Sequence, residues 1–298
     1  MDVRPFTRDD VPFAASLLAA RGNAHPLTVP LDAVAEVEAL LDAGHTGYVT
    51  DGGYLIGRVE DDAAWVYYAG HAATTERAYR HLYAAASRDW VAAGQHRHCV
   101  AMPEHDPVAE PAFANLAFGR EHVFALAALA EQPGGEPDPR VSVARVTVDE
   151  FEQLRPLLGV VARHLSGAPV WSPRPAAYWE TLPDAFREDL SSPEVTYLLA
   201  RVDGEAVGFA SCEPLPPRPA VPPGAFAMSH VSVVPQRRGQ GVGRALTLAC
   251  LARAREVGAT VTWTDWRLAN LCAEPYWRTY GWVPYNLRMS RRVEPGVS

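Results

Sequence analysis

The stretch that decides the fold runs His230-Val-Ser-Val-Val-Pro-Gln-Arg-Arg-Gly-Gln-Gly-Val-Gly-Arg-Ala-Leu246. It begins as an apolar strand that ends at Pro235, because proline has no backbone N–H to donate to a sheet. Glycines then occupy the alternate positions 239, 241 and 243 and lead directly into a helix. Glycine adopts backbone conformations closed to other residues, and a helix start offers unpaired amides with partial positive charge. The stretch therefore predicts an anion nest sized for phosphates.

Two other phosphate-binding motifs are excluded by their residue positions. A dinucleotide-binding G-x-G-x-x-G that began at Gly239 would need glycine at position 244, which is Arg244. A P-loop needs Gly-Lys followed by Ser or Thr, and this run is absent. Arg237, Arg238 and Arg244 add fixed positive charge beside the glycines. An anion is the predicted ligand, and a turn that binds nothing is the alternative.

Length and composition limit the class of protein. A chain of 298 residues predicts two domains of ordinary size. The formal net charge of -8 argues against a nucleic-acid partner held through its phosphates and suits a cationic acceptor such as an amine. No apolar run is long enough to span a bilayer, and Met1–Pro5 lacks the apolar core of a signal peptide, so we expect a cytoplasmic protein without a membrane partner. The four cysteines lack metal-binding spacing, and no metal is expected.

The chain reads as two similar halves joined by a seam. Residues 131–140, EQPGGEPDPR, have linker composition, which predicts a first domain at 1–132, a linker at 133–140 and a second domain at 141–298. Each half repeats a strand, a helix, a hairpin, a strand, a helix and a strand. The predicted helices are Thr7–Arg21 and Thr75–Ala93 in the first half, and Thr147–Arg163 and Gly243–Val257 in the second. We therefore expect an α/β fold of two tandem domains, each an α+β arrangement in which helices flank a mixed, mostly antiparallel sheet.

The nest resembles a family signature. Arg238-Gly-Gln-Gly-Val-Gly243 is similar to the R/Q-x-x-G-x-G/A motif of the GNAT superfamily of acetyl-CoA-dependent N-acyltransferases. Asn270-x-x-Ala273 and Gly281-Trp282 resemble the family's N-x-x-A and G-F ending. These motifs cover about the last seventy residues, and the likeness in fold extends over 141–298. The resemblance implies a tandem GNAT protein with an active C-terminal half.

The resemblance also implies a coenzyme site for acetyl-CoA as cosubstrate. A backbone N–H near Val233 would polarise the thioester carbonyl, and Asn270 would hydrogen-bond the pantetheine arm. The acceptor amine would attack directly, so no nucleophilic side chain is required. The remaining implied contacts are strand pairing of the pantetheine arm with Val231, Ser232 and Val233, and pyrophosphate binding by the amides of Arg238, Gly239, Gln240, Gly241, Val242, Gly243 and Arg244.

The proton donor and the general base are left as alternatives. Many GNAT enzymes place a tyrosine four residues before the glycine of the G-F pair, where this chain has Trp277, whose indole cannot act as an acid. Tyr276 and Tyr280 are the neighbouring candidates, and core packing is the alternative for both. Glu213, Asp265 and His230 are candidates to face the cleft of the sheet, or else they are solvated strand-end residues.

The acceptor side is predicted only in outline. Trp171, Trp179 and His230 are candidate acceptor contacts, although aromatic residues at this spacing are also ordinary core. The proline-rich connection Cys212–Phe226 is either a wall of the acceptor cleft or a rigid surface excursion. The first half has no alternating glycines, and Glu76 stands where it would repel a phosphate, so we interpret it as a degenerate GNAT domain without coenzyme binding.

The leading functional hypothesis is an N-acetyltransferase that acts on a primary amine of a small molecule. Transfer to an amino group of a protein or peptide is one alternative, and a non-catalytic acyl-CoA-binding regulatory protein is another. Either a monomer or a homodimer is expected.

Overall fold

The computed structural model describes residues 2–60, 63–136 and 138–294. The chain forms two compact units. The first comprises Met1–Phe124, Arg218–Val221 and Pro284–Ser298, and the second comprises Ala125–Pro217 and Pro222–Val283. The sequence predicted a division at 133–140, whereas the units divide inside a strand, Gly119–Ala128.

The reason for this difference is the side chain of Gln132. It is buried in the second unit, where its Oε1 accepts a hydrogen bond from Thr262 at 2.6 Å and its Nε2 donates to the carbonyl of Tyr280 at 3.1 Å. A buried amide whose two ends are both paired fixes the chain in place. Gln132, at the start of the seam, is therefore held in the second unit, which begins at Ala125. The assignment of a degenerate first domain and a catalytic second domain stays a prediction.

The first unit is built on a mixed sheet. Its strands follow the order β1-β2-β3-β4-β6-β13-β7, and β5 pairs with β3. Only β4 and β6 run parallel among the described strand pairs of this unit, because a helix connects them. The elements are β1 (Arg4–Pro5), α1 (Val11–Arg21), α2 (Ala33–Asp42), β2 (Thr46–Thr50), β3 (Gly53–Glu60), β4 (Ala63–Val66), β5 (His71–Ala73), α3 (Glu76–Ala92), β6 (Arg97–Pro103), α4 (Ala109–Ala114), β7 (Gly119–Ala128) and β13 (Val283–Arg292).

The core of the first unit holds a buried histidine. The His71 imidazole accepts a hydrogen bond from the Tyr79 hydroxyl at 3.0 Å and donates one to the carbonyl of Ala101 at 2.9 Å. Burial lowers the pKa of His71 to about 3, and the charge of Arg21 adds to the shift. The ring is therefore neutral in the folded state at pH values where it is protonated in the unfolded chain.

This histidine predicts a loss of stability in mild acid. Below its usual pKa of 6.5 the unfolded chain binds a proton that the folded chain excludes, so unfolding becomes easier by about 1.4 kcal/mol per pH unit as the pH falls toward 3. We expect His71→Gln, which cannot titrate, to show a shallower fall than wild type in urea unfolding between pH 6.5 and 5. His105→Gln is the matched control, since the His105 side chain is 80% exposed. Equal slopes for wild type and His71→Gln would contradict the assignment.

The second unit contains a five-stranded run with helices on it. Strands β8 to β11 are antiparallel to their neighbours, β11 and β12 are parallel, and the end of β7 lies beside β12. The elements are β8 (Val141–Arg145), α5 (Phe151–Leu154), α6 (Val160–Ser166), α7 (Ala176–Ser191), β9 (Thr196–Val202), β10 (Glu205–Pro214), β11 (Phe226–Val233), α8 (Val242–Glu256), β12 (Val261–Arg267) and α9 (Ala273–Arg278). The predicted α/β class, with helices flanking a mixed sheet in two GNAT-like domains, is confirmed.

One predicted helix is broken. The sequence indicated a single helix over Thr147–Arg163, but the structure has a 3-10 turn, the short helix α5, a second 3-10 turn at Arg155–Leu157 and then α6. Pro156 lies in that second turn and has no N–H to continue an α-helix, and Gly159 precedes α6. Helix α6 is therefore a separate element from α5.

Within the described ranges, no helix has the length and apolar character needed to cross a membrane.

Candidate functional site

The centre of the site is the place where β11 and β12 part. Their parallel pairing is confined, among the residues described, to Phe226 with Thr262 and Ala227 with Trp263. The Thr264 hydroxyl makes one further link, to the carbonyl of Met228 at 3.1 Å. Beyond that link the edge of residues 229–233 that faces β12 has no described backbone partner, although β11 stays paired with β10 on its other side. An open strand edge of this kind accepts an extended ligand as an added strand.

A buried hydroxyl on the same strand also lacks a partner. Ser232 is 3% exposed, and no described atom lies within hydrogen-bonding distance of its Oγ. A buried polar group without a partner is costly, and it indicates a missing hydrogen-bonding group. Together with the open edge that Val231, Ser232 and Val233 provide, this hydroxyl fits a polar, extended ligand such as the pantetheine arm.

The anion nest forms directly after this strand. A 3-10 turn at Pro235–Arg237 leads to Gly239 and Gly241, whose φ angles of +73° and +83° lie in the left-handed region that favours glycine. Helix α8 then starts at Val242 without a side-chain cap. No described backbone carbonyl accepts a hydrogen bond from the amides of residues 239–244. These amides and the positive end of a 15-residue helix fit a pyrophosphate.

The arginines of the nest are partly engaged. The Arg238 Nε donates to the carbonyl of Val233 at 3.3 Å, which ties the nest to the end of β11. Arg237 pairs with Glu205 at 3.4 Å. Arg238, Gln240 and Arg244 are exposed and Val242 is buried, so the site offers backbone amides on one side and mobile positive charge on the other.

Gly243 serves a different purpose from the first two glycines. A Cβ at this position would lie 3.4 Å from the Tyr276 hydroxyl. That hydroxyl hydrogen-bonds to Thr247 on α8 at 2.6 Å. The third glycine thus allows the phenol of α9 to lie against the first turn of α8. Burial raises the pKa of Tyr276 above its usual value of 10, so the phenol keeps its proton at neutral pH.

The neighbours of Tyr276 are part of the core. Trp277 is 8% exposed and packs edge-on against Trp282, with ring centroids 5.2 Å apart. Tyr280 is 4% exposed and lies 5.2 Å from the ring of Tyr276. Of the two tyrosines that the sequence proposed, Tyr276 is the less buried and is the one beside the nest.

Asn270 has a partner that sequence reasoning missed. Its Oδ1 is 3.1 Å from His164 Nε2 and also accepts the amide of Cys272 at 3.3 Å. Because both contacts engage the oxygen, the side-chain NH₂ of Asn270 is the end left to donate to a ligand. His164 lies on α6, and no local pattern in the sequence pointed to it.

His230 contacts a serine of β10 and an aromatic ring of α7. Its Nδ1 is 3.0 Å from the Ser211 hydroxyl, and its ring packs 5.6 Å from Phe186. Burial lowers the pKa of His230, and the charges of Asp265, Glu213 and Asp189 oppose that shift. The Glu213 carboxylate accepts a hydrogen bond from the Ser229 hydroxyl at 2.7 Å. The structure therefore brings His230, Glu213 and Asp265 into one electrostatic group at the open part of β11.

The two tryptophans differ in their surroundings. Trp179 packs on the core of the second unit, where the Arg163 guanidinium lies 5.7 Å from its ring. Trp171 is 71% exposed on the loop after α6, with a φ of 49°. Trp179 thus matches the core alternative, and Trp171 is the ring that remains free to contact a ligand.

The proline-rich connection supplies part of the first unit. Arg218–Val221 belong to that unit, where the carbonyl of Ala220 accepts the amide of Val29 at 3.1 Å. Ala220 is 2% exposed. This buried contact argues against a mere surface excursion.

Neither feature of the site is found among the residues of the first unit that the structure describes. Strand β4 pairs with β6 through three successive positions, Ala64 to Val66, and so reaches the end of the strand without parting. The start of α3 is capped by the Thr75 hydroxyl, which accepts the amide of Ala78 at 3.2 Å. Glu76 follows in the first turn. The Thr75 hydroxyl occupies a helix amide that an anion would otherwise bind, and the Glu76 carboxylate repels an anion.

Comparisons with known proteins agree with this geometry. Residues 163–282 match the profile of the Acetyltransferase (GNAT) family. A GCN5-related N-acetyltransferase from Sphaerobacter thermophilus has a similar structure, with 17% identity, a TM-score of 0.62, and coverage of 100% of this chain and 97% of that chain. A tandem GNAT protein from the clavulanic acid biosynthesis pathway is similar at 15% identity, with a TM-score of 0.60 and 99% of both chains covered. No curated protein sequence matches the chain.

The family match identifies residues 163–282 as a GNAT acetyltransferase domain, the part of the chain that holds the parted strands and the glycine nest. The likeness to the two solved structures shows that the chain shares their fold, which is that of two GNAT-like domains in tandem. Acetyl-CoA is the cosubstrate typical of this family. Among the described residues, no group of three His, Cys, Asp or Glu side chains is placed to hold a metal ion.

Proposed function

We propose that this protein transfers the acetyl group of acetyl-CoA to a primary amine of a small molecule by direct attack. The observation that carries the proposal is the unpaired edge of β11 at residues 229–233, which runs directly into the nest at residues 238–244. One ligand with an extended arm and a pyrophosphate matches both parts. When bound, acetyl-CoA supplies the thioester that the amine attacks.

The residues of the second unit have distinct tasks in this proposal. The amides of the nest hold the pyrophosphate, and Asn270 donates its NH₂ to the arm, oriented by His164. The amide near Val233 stabilises the negative charge that develops on the carbonyl oxygen. Tyr276 donates a proton to the leaving thiolate, since burial keeps its phenol neutral. Most of the rate gain comes from ordering two substrates.

The charges near β11 favour an amine as acceptor. Glu213, Asp265 and Asp189 give the site a negative potential that attracts an ammonium ion. The amine must lose a proton before it attacks, and His230 is neutral at pH 7 because burial lowers its pKa. If the Ser211 hydroxyl accepts the Nδ1 proton, the Nε2 of His230 is free to act as the base.

The same geometry predicts one active site per chain. The first unit has a capped helix and fully paired strands at the corresponding place, so we assign it no coenzyme.

The test is turnover with a panel of amines. Purified protein is mixed with acetyl-CoA and either small mono-, di- and polyamines or peptides with free amino groups, and thiol release is followed together with the mass of the product. We expect thiol release that depends on a small amine and a product heavier by one acetyl group. Acetylation of peptides without acetylation of any small amine would contradict the small-molecule acceptor and indicate a peptide acceptor. Tight acetyl-CoA binding without turnover on either panel would indicate the regulatory alternative and contradict the proposal.

A further inference from the structure

The segment from Gln132 to Arg140, called the strap below, is anchored along the coenzyme site. At its first end, the Gln132 side chain bonds to Thr262 and Tyr280, and the carbonyl of Gln132 accepts a hydrogen bond from Arg255 on α8 at 3.1 Å. At its other end the chain enters β8 at Val141. Pro137 lies outside the described residues. Both ends of the strap are therefore attached to the second unit.

Between these ends the strap passes the start of α8. A Cβ built on Gly135 would lie 3.8 Å from a terminal guanidinium nitrogen of Arg244. A Cβ built on Gly241 would lie 3.7 Å from the Cβ of Asp138 and 3.8 Å from its Oδ2. Gly241 is the residue before the first turn of α8, at the centre of the nest. A carboxylate of the chain itself therefore lies beside the residue at the centre of the nest.

Arg140 holds this carboxylate. Its guanidinium contacts both carboxylate oxygens of Asp138, at 2.6 Å from Oδ2 and 3.0 Å from Oδ1, and its backbone amide donates to Oδ1 at 2.9 Å. These hydrogen bonds lower the pKa of Asp138 to about 2, so the carboxylate is charged at every pH at which the protein would be assayed. The Arg140 side chain is 79% exposed and can reorient toward another anion.

We propose that Asp138 and Arg140 form part of the coenzyme site and set its affinity: Asp138 is an internal anion at the nest, and Arg140 exchanges Asp138 for a coenzyme phosphate. The inference rests on the proposed function. A fixed carboxylate within a few ångströms of a pyrophosphate repels it, and the arginine that neutralises the carboxylate reduces that cost. The strap thereby weakens coenzyme binding, which favours release of the product coenzyme.

A role in coenzyme affinity predicts opposite effects when the negative charge of Asp138 and the positive charge of Arg140 are removed, whereas a structural role does not. We expect Asp138→Asn to bind acetyl-CoA about five- to tenfold more tightly by calorimetry, because the repulsion is lost and Arg140 is released. Asparagine keeps the side-chain oxygen that accepts the Arg140 amide, so the local turn is retained. We expect Arg140→Gln to bind acetyl-CoA about five- to tenfold more weakly than wild type, because the negative charge of Asp138 is then no longer neutralised.

Glu136→Gln is the matched control. It removes the same charge from an exposed residue of the same segment, and no described contact joins Glu136 to the nest. Its affinity should equal that of wild type at moderate salt, and the gain in Asp138→Asn should shrink as salt is raised. If wild type binds acetyl-CoA and Asp138→Asn binds it with equal or lower affinity, the inference about Asp138 is overturned and the proposed function is not. Absence of acetyl-CoA binding by wild type would overturn the proposed function and the inference with it.

Discussion

Gly241→Glu is expected to lower acetyl-CoA affinity by about a hundredfold or more while leaving the protein folded. The substitution places a negative side chain in the nest, next to Asp138 and in front of the free amides of α8. It also forces a residue with a Cβ into φ +83°, which costs about 1 kcal/mol of stability. Calorimetry gives the affinity, and thermal unfolding gives the stability.

Gly204→Glu separates these two effects. Gly204 has the same φ of +83° in the turn between β9 and β10, with nothing within 4 Å of a Cβ placed there. The control therefore introduces a Cβ at the same φ and the same new charge outside residues 238–244. We expect both variants to lose similar stability and only Gly241→Glu to lose coenzyme binding. If Gly241→Glu binds acetyl-CoA with the affinity of wild type, the nest is not part of the coenzyme site.

Tyr276→Phe is expected to reduce kcat by about a hundredfold, the lower end of the usual contribution of a general acid. The change removes the hydroxyl that bonds to Thr247 and leaves the ring to pack against Gly243. The KM for acetyl-CoA should change little, because the hydroxyl acts on the leaving group. Steady-state kinetics with the best amine of the panel provides the measurement.

Two controls and a pH profile sharpen this test. Trp277→Phe alters the packing on Trp282 and should lower the melting temperature without the same loss of kcat. Tyr280→Phe removes the neighbouring hydroxyl and tests whether the effect belongs to Tyr276. Because burial raises the pKa of Tyr276, wild-type kcat should show no alkaline decline from this phenol below its usual pKa of 10. If Tyr276→Phe keeps full kcat, proton delivery comes from another group or from solvent.

The backbone geometry of residues 235–242 could be predicted from the sequence because its signals are local, whereas its role in coenzyme binding stays a prediction. Pro235 ends a strand, alternate glycines give left-handed backbone, and an uncapped helix start follows within a few residues. Each of these effects is determined by neighbours in the chain, so residue types and spacing were enough. The boundaries of α8 were predicted to within one residue for the same reason.

The sequence alone did not determine the side-chain directions of the candidate proton donors. The family motif placed the proton donor at position 277, but the direction of each side chain on a six-residue helix depends on what α9 packs against. Trp277 is held by Trp282, which leaves Tyr276 to face Thr247. The pairing of His164 with Asn270 joins residues that are far apart in sequence, and such contacts leave no local pattern.

Residues 131–140 show a further limit of predicting structure from composition. Prolines, glycines and charges at residues 131–140 are typical of a free linker, and that interpretation treats the segment as solvent-exposed. The anchor is a single side chain, Gln132, which is 4% exposed and paired at both ends. Neither its type nor its neighbours distinguish it from an exposed glutamine.

Strand β13 has a consequence for biosynthesis. It pairs with β6 from Asn286 with Pro103 to Arg292 with Arg97, so the sheet of the first unit contains a strand that follows the second unit in the sequence. The first unit cannot complete its sheet until the second unit has been translated, because this pairing joins segments on either side of that unit. A chain that stopped before β13 would leave β6 with an uncovered edge, which invites aggregation. Loss of the second unit by truncation would therefore also remove a strand from the first.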